Sequence, residues 1–130
     1  MSAHTTTTTA STSAVAIDEL PSLFDGVIKL ARRGLGISAF GVQILDLPPD
    51  YVTDAHDERA TGQEELYAVL SGDGAVVLED GTRHPIDAGH LVRMAPEGAR
   101  RVASGPNGVR VMVVGGVPGA PYEPPAWTEG

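Results

Sequence analysis

Short stretches of alternating apolar and polar residues, each closed by a turn signal, fill the chain from residue 38 onward. The first, residues 38–47, stops at Pro48-Pro49, which cannot continue a strand. Further strands are predicted over residues 64–70, 75–79, 82–86, 91–95, 100–103 and 109–114. Asp80-Gly81, between two of them, is a strong signal for a two-residue hairpin. This regular spacing predicts an all-β antiparallel barrel or jelly roll.

The N-terminal part of the chain follows a different pattern. Residues 1–14 are rich in Thr, Ser and Ala and have few apolar side chains to bury, which predicts a disordered tail. Apolar residues between 17 and 30 have roughly helical spacing, but Pro21 and Gly26 interrupt it. We therefore predict a short helix or turn near residues 18–24, followed by an edge strand.

Composition restricts the function classes. The 130 residues suit one domain, predicted over residues 15–130 with a Pro-rich arm from residue 118 that Tyr122 and Trp127 anchor. A net charge of −8 argues against nucleic acid as a partner, and the lack of cysteine excludes thiol chemistry and disulfides. No apolar run approaches the roughly 20 residues that span a bilayer, and no signal-peptide pattern occurs, so we expect no membrane partner and a cytoplasmic location.

The strand over residues 64–70 has two largely apolar faces. Side chains alternate along a strand, so one face carries Glu65, Tyr67 and Val69, and the other carries Glu64, Leu66, Ala68 and Leu70. A strand that is apolar on both sides is covered on both sides. We predict that the barrel core covers one face and a second subunit the other, which makes the protein a homodimer.

Four sequence blocks carry a resemblance to a known family. They are HDE at 56–58, EELYAVLSG at 64–72, AGH at 88–90 and PEGARR at 96–101. Together they resemble the two conserved motifs of the cupin superfamily, and the likeness covers roughly residues 36–116. It implies an antiparallel double-stranded β-helix, the cupin barrel, similar to those of small single-domain bacterial cupins. It also implies a divalent metal held inside the barrel by three histidines and one glutamate.

Most of the metal ligands that the resemblance implies are replaced in this chain. His56 matches the first histidine and Glu65 the glutamate, but Glu58 stands at the second histidine. The last histidine becomes Arg100 or Arg101, depending on which end of the motif is aligned, and a protonated guanidinium cannot bind a metal. His56, Glu58 and Glu65 are left as ligands for iron, manganese, nickel or zinc. We favour a site without a cofactor, in which the arginine pairs with the carboxylates.

Two functions follow from these residues. The first is a binding module for a small organic molecule, which we expect to be an anion because a guanidinium pairs with a carboxylate in a bidentate fork. Its ligand-binding residues are Arg100, Arg101, Tyr67 and His56.

The alternative is an enzyme. A divalent-metal-dependent dioxygenase or isomerase would use His56, Glu58 and Glu65 as ligands. A metal-free enzyme would use Glu65 or His56 as general base, with an arginine stabilising a developing oxyanion. Pairing of Glu65 with an arginine for structural reasons alone is the third interpretation, since a charge on an apolar strand face needs a partner.

Overall fold

Nine strands and one short helix make up the computed structural model, which describes residues 6–9 and 11–129. The strands are β1 (Thr7–Thr8), β2 (Ser13–Ala14), β3 (Ser22–Leu23), β4 (Ile28–Lys29), β5 (Gly41–Leu47), β6 (Glu64–Leu78), β7 (Arg83–Ile86), β8 (Leu91–Met94) and β9 (Arg100–Gly116). The helix α1 spans Ala31–Leu35, and single 3₁₀ turns occur at Ile17–Glu19 and Ala126–Thr128. Within these described ranges, no helix is long and apolar enough to cross a membrane.

The two long strands β6 and β9 form the centre of one antiparallel sheet. The order is β3-β4-β5-β9-β6-β7, and β8 pairs with the first half of β6. The first half of β6 pairs with the second half of β9 (Tyr67 with Val113), and its second half pairs with the first half of β9 (Val76 with Val102). Both halves thereby wrap around one core, which confirms the predicted antiparallel jelly-roll barrel.

Two predicted turns are bends inside these strands, and this corrects the prediction. β6 runs through the two strands predicted over 64–70 and 75–79, and β9 runs through those over 100–103 and 109–114. Gly72 and Gly108 each adopt φ of +76°, and the β6–β9 ladder shifts register beside Gly72. Glycine in this left-handed conformation makes a β-bulge, so the chain bends without ending the ladder.

The apolar side chains form two clusters, one on each side of the sheet. The cluster inside the barrel comprises Leu47, Tyr67, Val76, Ile86, Met94, Val102, Val109, Val111 and Val113. On the outside, Leu20 and Ala31 pack on Val42 and Ile44 of β5. The chain's own N-terminal segment therefore covers the outer face of β5, and Leu66 and Leu70 of β6 remain exposed.

Part of the segment predicted as a disordered tail lies within the described residues. Strands β1 and β2 pair as a small antiparallel ladder, and hydrogen bonds between Thr9 and Thr12 close the turn. The Ser13 hydroxyl donates to the Leu35 carbonyl at 2.6 Å, which joins this ladder to the helix end. Residues 1–5 and 10, also predicted as tail, lie outside the described residues.

Candidate functional site

The barrel contains a cavity of about 680 Å³. Inward side chains of β5, β6 and β9 form its wall. They include Leu45, Glu65, Tyr67, Val102 and Val113. The mouth is bordered by residues 51–58, by the start of α1 and by the C-terminal segment 122–128. A concave, mostly apolar space of this size is typical of a small-molecule site.

Glu65, Tyr67 and Arg100 form a buried cluster beside this wall. The Arg100 side chain is fully buried, and its Nη2 lies 2.5 Å from Glu65 Oε1. Tyr67 donates its hydroxyl hydrogen bond to the same carboxylate oxygen at 2.9 Å and accepts one from Arg100 Nε at 3.3 Å. Arg100 Nη1 donates to the carbonyl of Gly98 at 2.7 Å. The carboxylate is thus neutralised inside the barrel, as a buried charge must be.

Both titratable partners of Glu65 keep their protons. Burial, reinforced by the Glu65 carboxylate, raises the pKa of Tyr67 above its usual range. Burial by itself lowers the pKa of Arg100, but the hydrogen bonds to Tyr67 and Glu65 outweigh it, so the net shift is upward. Tyr67 is therefore a neutral donor and Arg100 a fixed cation at physiological pH.

The two candidate arginines occupy different environments. Arg100 faces inward, and its guanidinium nitrogens already have protein acceptors, so it offers little to a ligand. Arg101 lies on the outer surface, where Nη1 donates to the Thr53 carbonyl at 3.1 Å. Of the ligand-binding residues predicted from the sequence, Tyr67 and His56 border the cavity, whereas neither arginine is among its lining residues.

His56 and Glu58 lie at the mouth, apart from Glu65. The backbone of His56 exchanges two hydrogen bonds with Arg100, but its imidazole is about half exposed and sits 3.6 Å from Glu58. Glu58 Oε1 accepts a hydrogen bond from the Thr61 hydroxyl at 2.8 Å. Glu65 Oε1 is held by Arg100.

These residues do not fit the metal that the fold family implies. No group of three or more His, Asp or Glu side chains in the described chain is arranged to hold a metal ion. The predicted set of His56, Glu58 and Glu65 is not brought together, because Glu65 pairs with a guanidinium inside the wall. A metal beside that fixed positive charge would be repelled.

Sequence reasoning missed Gln63, a buried polar residue on the cavity wall. It is 5% exposed, and its carboxamide has no hydrogen-bond partner among the described residues. Gln63 shares the inward face of the strand with Glu65 and Tyr67, so the two-residue period could have identified it. Arg32 of α1 also lines the cavity, without any local sequence signal, and so does Trp127, which the sequence indicated only as an anchor of the C-terminal arm.

Comparison with known proteins yields matches in structure only. No family model matches the sequence, and no curated protein does. The chain is similar to the structure of a cupin protein from Bacteroides fragilis, with 23% identity and a TM-score of 0.63 over 85% of this chain and 92% of that one. It is also similar to the Cupin_2 domain of an XRE family transcriptional regulator from Enterobacter cloacae (17% identity, TM-score 0.60, 71% of this chain and 96% of that one).

A third similar structure is a sugar phosphate isomerase from a cupin superfamily, from Silicibacter pomeroyi. It shares 22% identity and a TM-score of 0.55 over 68% of this chain and 57% of that one. At these identities the likeness concerns the fold.

Proposed function

Since this chain has the cupin fold, we propose that its barrel binds a small organic molecule carrying an anionic group, without the metal site of three histidines and one glutamate. The observation that carries this proposal is the cavity of about 680 Å³ with an apolar wall and the unpartnered Gln63 carboxamide. The amide atoms of Gln63 are not sealed from solvent, since no fully buried side-chain N or O among the described residues lacks a partner. A bound molecule can therefore exchange hydrogen bonds with this amide in place of water.

An anion is supported by charges at the mouth. Arg32 and Arg33 of α1 both border the cavity, and Arg33 has no ion pair among the described residues. The inner carboxylate, Glu65, is already neutralised by Arg100. The similar sugar phosphate isomerase is, by its name, a protein that acts on an anionic sugar.

The metal-dependent enzyme using His56, Glu58 and Glu65 gains no support from the geometry described above. The metal-free version had Glu65 or His56 as general base. As a base Glu65 must accept a proton, yet Tyr67 and Arg100 both donate to its Oε1. The imidazole of His56 is about half exposed at the mouth and contacts Glu58. Binding without catalysis is therefore our first proposal.

Filling the cavity should abolish binding. A thermal-shift screen of anionic and neutral metabolites should give hits with the wild-type chain, and Val113→Phe, which fills the wall, should remove them. Gln63→Leu should weaken the confirmed hits about tenfold, as expected for one lost hydrogen bond, and leave the melting temperature unchanged or higher. Isothermal titration calorimetry measures both affinities.

Two controls make the binding test specific. Leu91→Phe also replaces an aliphatic side chain by phenylalanine, but on the outer surface, where Leu91 is 71% exposed, and should leave binding unchanged. Treatment with a chelator should also leave the affinity unchanged. Hits that survive Val113→Phe, or that vanish with the chelator, would contradict binding in a metal-free barrel.

We also propose that the protein is a homodimer formed through the outer face of β6 and β8. Leu66, Leu70 and Leu91 are 38%, 45% and 71% exposed there. Light scattering should give twice the chain mass of 13.5 kDa. Leu66→Glu should halve the measured mass, whereas Thr82→Glu, which places the same charge at a hairpin, should not. A wild-type mass equal to that of one chain would exclude this dimer.

A further inference from the structure

Residues 122–129 of the C-terminal arm lie along the cavity mouth. From here on, the arm means these residues. Tyr122 packs against Gly41 at the start of β5 so closely that a β-carbon there would overlap the phenol ring. Thr128 is 5% exposed, and Tyr122, Trp127 and Thr128 all line the cavity. The arm is therefore part of the wall that any ligand must pass or contact.

One ion pair joins the arm to the cavity wall. Arg32 on α1 contacts Glu129 through Nη2 and donates from Nη1 to the Ile37 carbonyl at 3.1 Å. Its side chain is only 13% exposed, whereas that of Glu129 is 45% exposed. The cavity-lining guanidinium thus already binds a carboxylate, and that carboxylate sits on the solvent side.

We propose that Arg32 binds the anionic group of the ligand, and that Glu129 occupies Arg32 until the ligand displaces it. This inference rests on the proposed binding function. It makes Arg32 the residue that selects the ligand class, which is small carboxylates or phosphates. One anion exchanges for another on the same guanidinium fork, so the buried cation always has a partner. Glu129 then returns to water.

The exchange requires that the contact between the arm and the cavity wall be weak. It is weak because the side chain of Glu129 is 45% exposed to solvent. Ion pairs with a solvated member contribute little to stability, so an entering anion competes easily. Because Glu129 occupies Arg32, the apparent affinity for the ligand equals the intrinsic affinity multiplied by the fraction of molecules in which Arg32 is free. Release of Glu129 also loosens the arm, which carries Trp127.

Trp127 reports the position of the arm because it is the only tryptophan in the chain. Glu129→Gln should make it more accessible, so that acrylamide quenches its fluorescence more strongly than in the wild type. Glu123→Gln is the matched control, because Glu123 is an exposed glutamate on the same arm without an ion pair among the described residues. Equal quenching in Glu129→Gln and Glu123→Gln would overturn the proposal that the pair of Glu129 with Arg32 holds the arm in place.

Binding of simple anions tests the competition. Calorimetric titrations with acetate, succinate, benzoate and inorganic phosphate should show affinities about three- to tenfold higher in Glu129→Gln than in the wild type. Arg32→Gln should abolish this binding, and Arg33→Gln, the same charge change next to it, should reduce it less. Anion affinities that are equal in Glu129→Gln and wild type, or equal losses in both arginine variants, would overturn the inference.

The failure of this inference and of the proposed function are distinguishable. If none of the four anions binds Glu129→Gln while larger anionic metabolites give hits that Val113→Phe removes, Arg32 is not the anion site and the proposed binding function stands. If no metabolite binds the wild type or Glu129→Gln, the proposed function fails with it.

Discussion

Replacing Arg100 with methionine should lower the free energy of unfolding by about 3–5 kcal/mol, the usual cost of removing one partner of a buried ion pair. The variant leaves Glu65 charged inside the barrel without its guanidinium and removes the donor to the Gly98 carbonyl. Methionine fills much of the same volume, so the loss reflects the missing charge and hydrogen bonds more than a cavity. Urea unfolding followed by circular dichroism measures it.

The neighbouring residue provides the matched control. Arg101→Met makes the same chemical change on the exposed side of β9, and its effect should stay within about 0.5 kcal/mol. The double variant Arg100→Met with Glu65→Leu should recover part of the loss, because neither member leaves an unpaired buried charge. A small effect of Arg100→Met, similar to that of Arg101→Met, would show that Glu65 has another partner in solution.

The Arg100 cluster neutralises the carboxylate of Glu65 inside the barrel. Glu65 faces inward, and Arg100, at a position where the resemblance implies a histidine, pairs with it. The other donors of the guanidinium bond to Tyr67 and to the Gly98 carbonyl. Neither Arg100 nor Arg101 is among the residues that line the cavity.

Alternation along the strands made much of the fold predictable. It placed Glu65 and Tyr67 on one face of their strand, and in the structure that face borders the cavity inside the barrel. The turns were harder, because Gly-rich segments encode both chain reversals and bulges. Asp80-Gly81 lies at the β6–β7 hairpin, as expected, although the loop has three residues (79–81) and not two. Gly72 and Gly108, in contrast, bend strands that continue. The sequence alone does not distinguish these cases, since the difference lies in the pairing with a distant strand.

The site was predictable only where it follows the strand period. Pairing of Glu65 with an arginine was anticipated, and the structure selects Arg100 over Arg101 because only one of two successive strand residues faces inward. The Arg32–Glu129 pair joins positions 97 residues apart, and no local pattern indicates it. His56, Glu58 and Glu65, the predicted metal ligands, lie close in sequence but are not brought together. Glu65 pairs with Arg100, whereas His56 and Glu58 contact each other at the mouth.

The glycine bulges lead to a second large expected effect. Gly72→Ala should lower the free energy of unfolding by about 3 kcal/mol, because two costs combine. A non-glycine residue in the left-handed region costs roughly 1–2 kcal/mol, and a forced contact in a packed interior costs roughly 1–3 kcal/mol. Gly72 has φ of +76°, and its β-carbon would overlap the Gly108 carbonyl oxygen and lie 3.0 Å from Val109 Cα. Both obstacles are backbone atoms of β9, so no side chain can move aside.

Gly81→Ala separates the two costs. Gly81 also has a positive φ, +90°, but nothing lies within 4 Å of the position its β-carbon would take. Its substitution should therefore cost only the backbone strain, roughly 1–2 kcal/mol. The difference between the two variants in urea unfolding is the cost of forcing β6 and β9 apart at their bulges. Equal losses would mean that β6 and β9 can move apart at this point. Glycine would then be needed at position 72 only for its left-handed backbone conformation, and not for the close approach of the two strands.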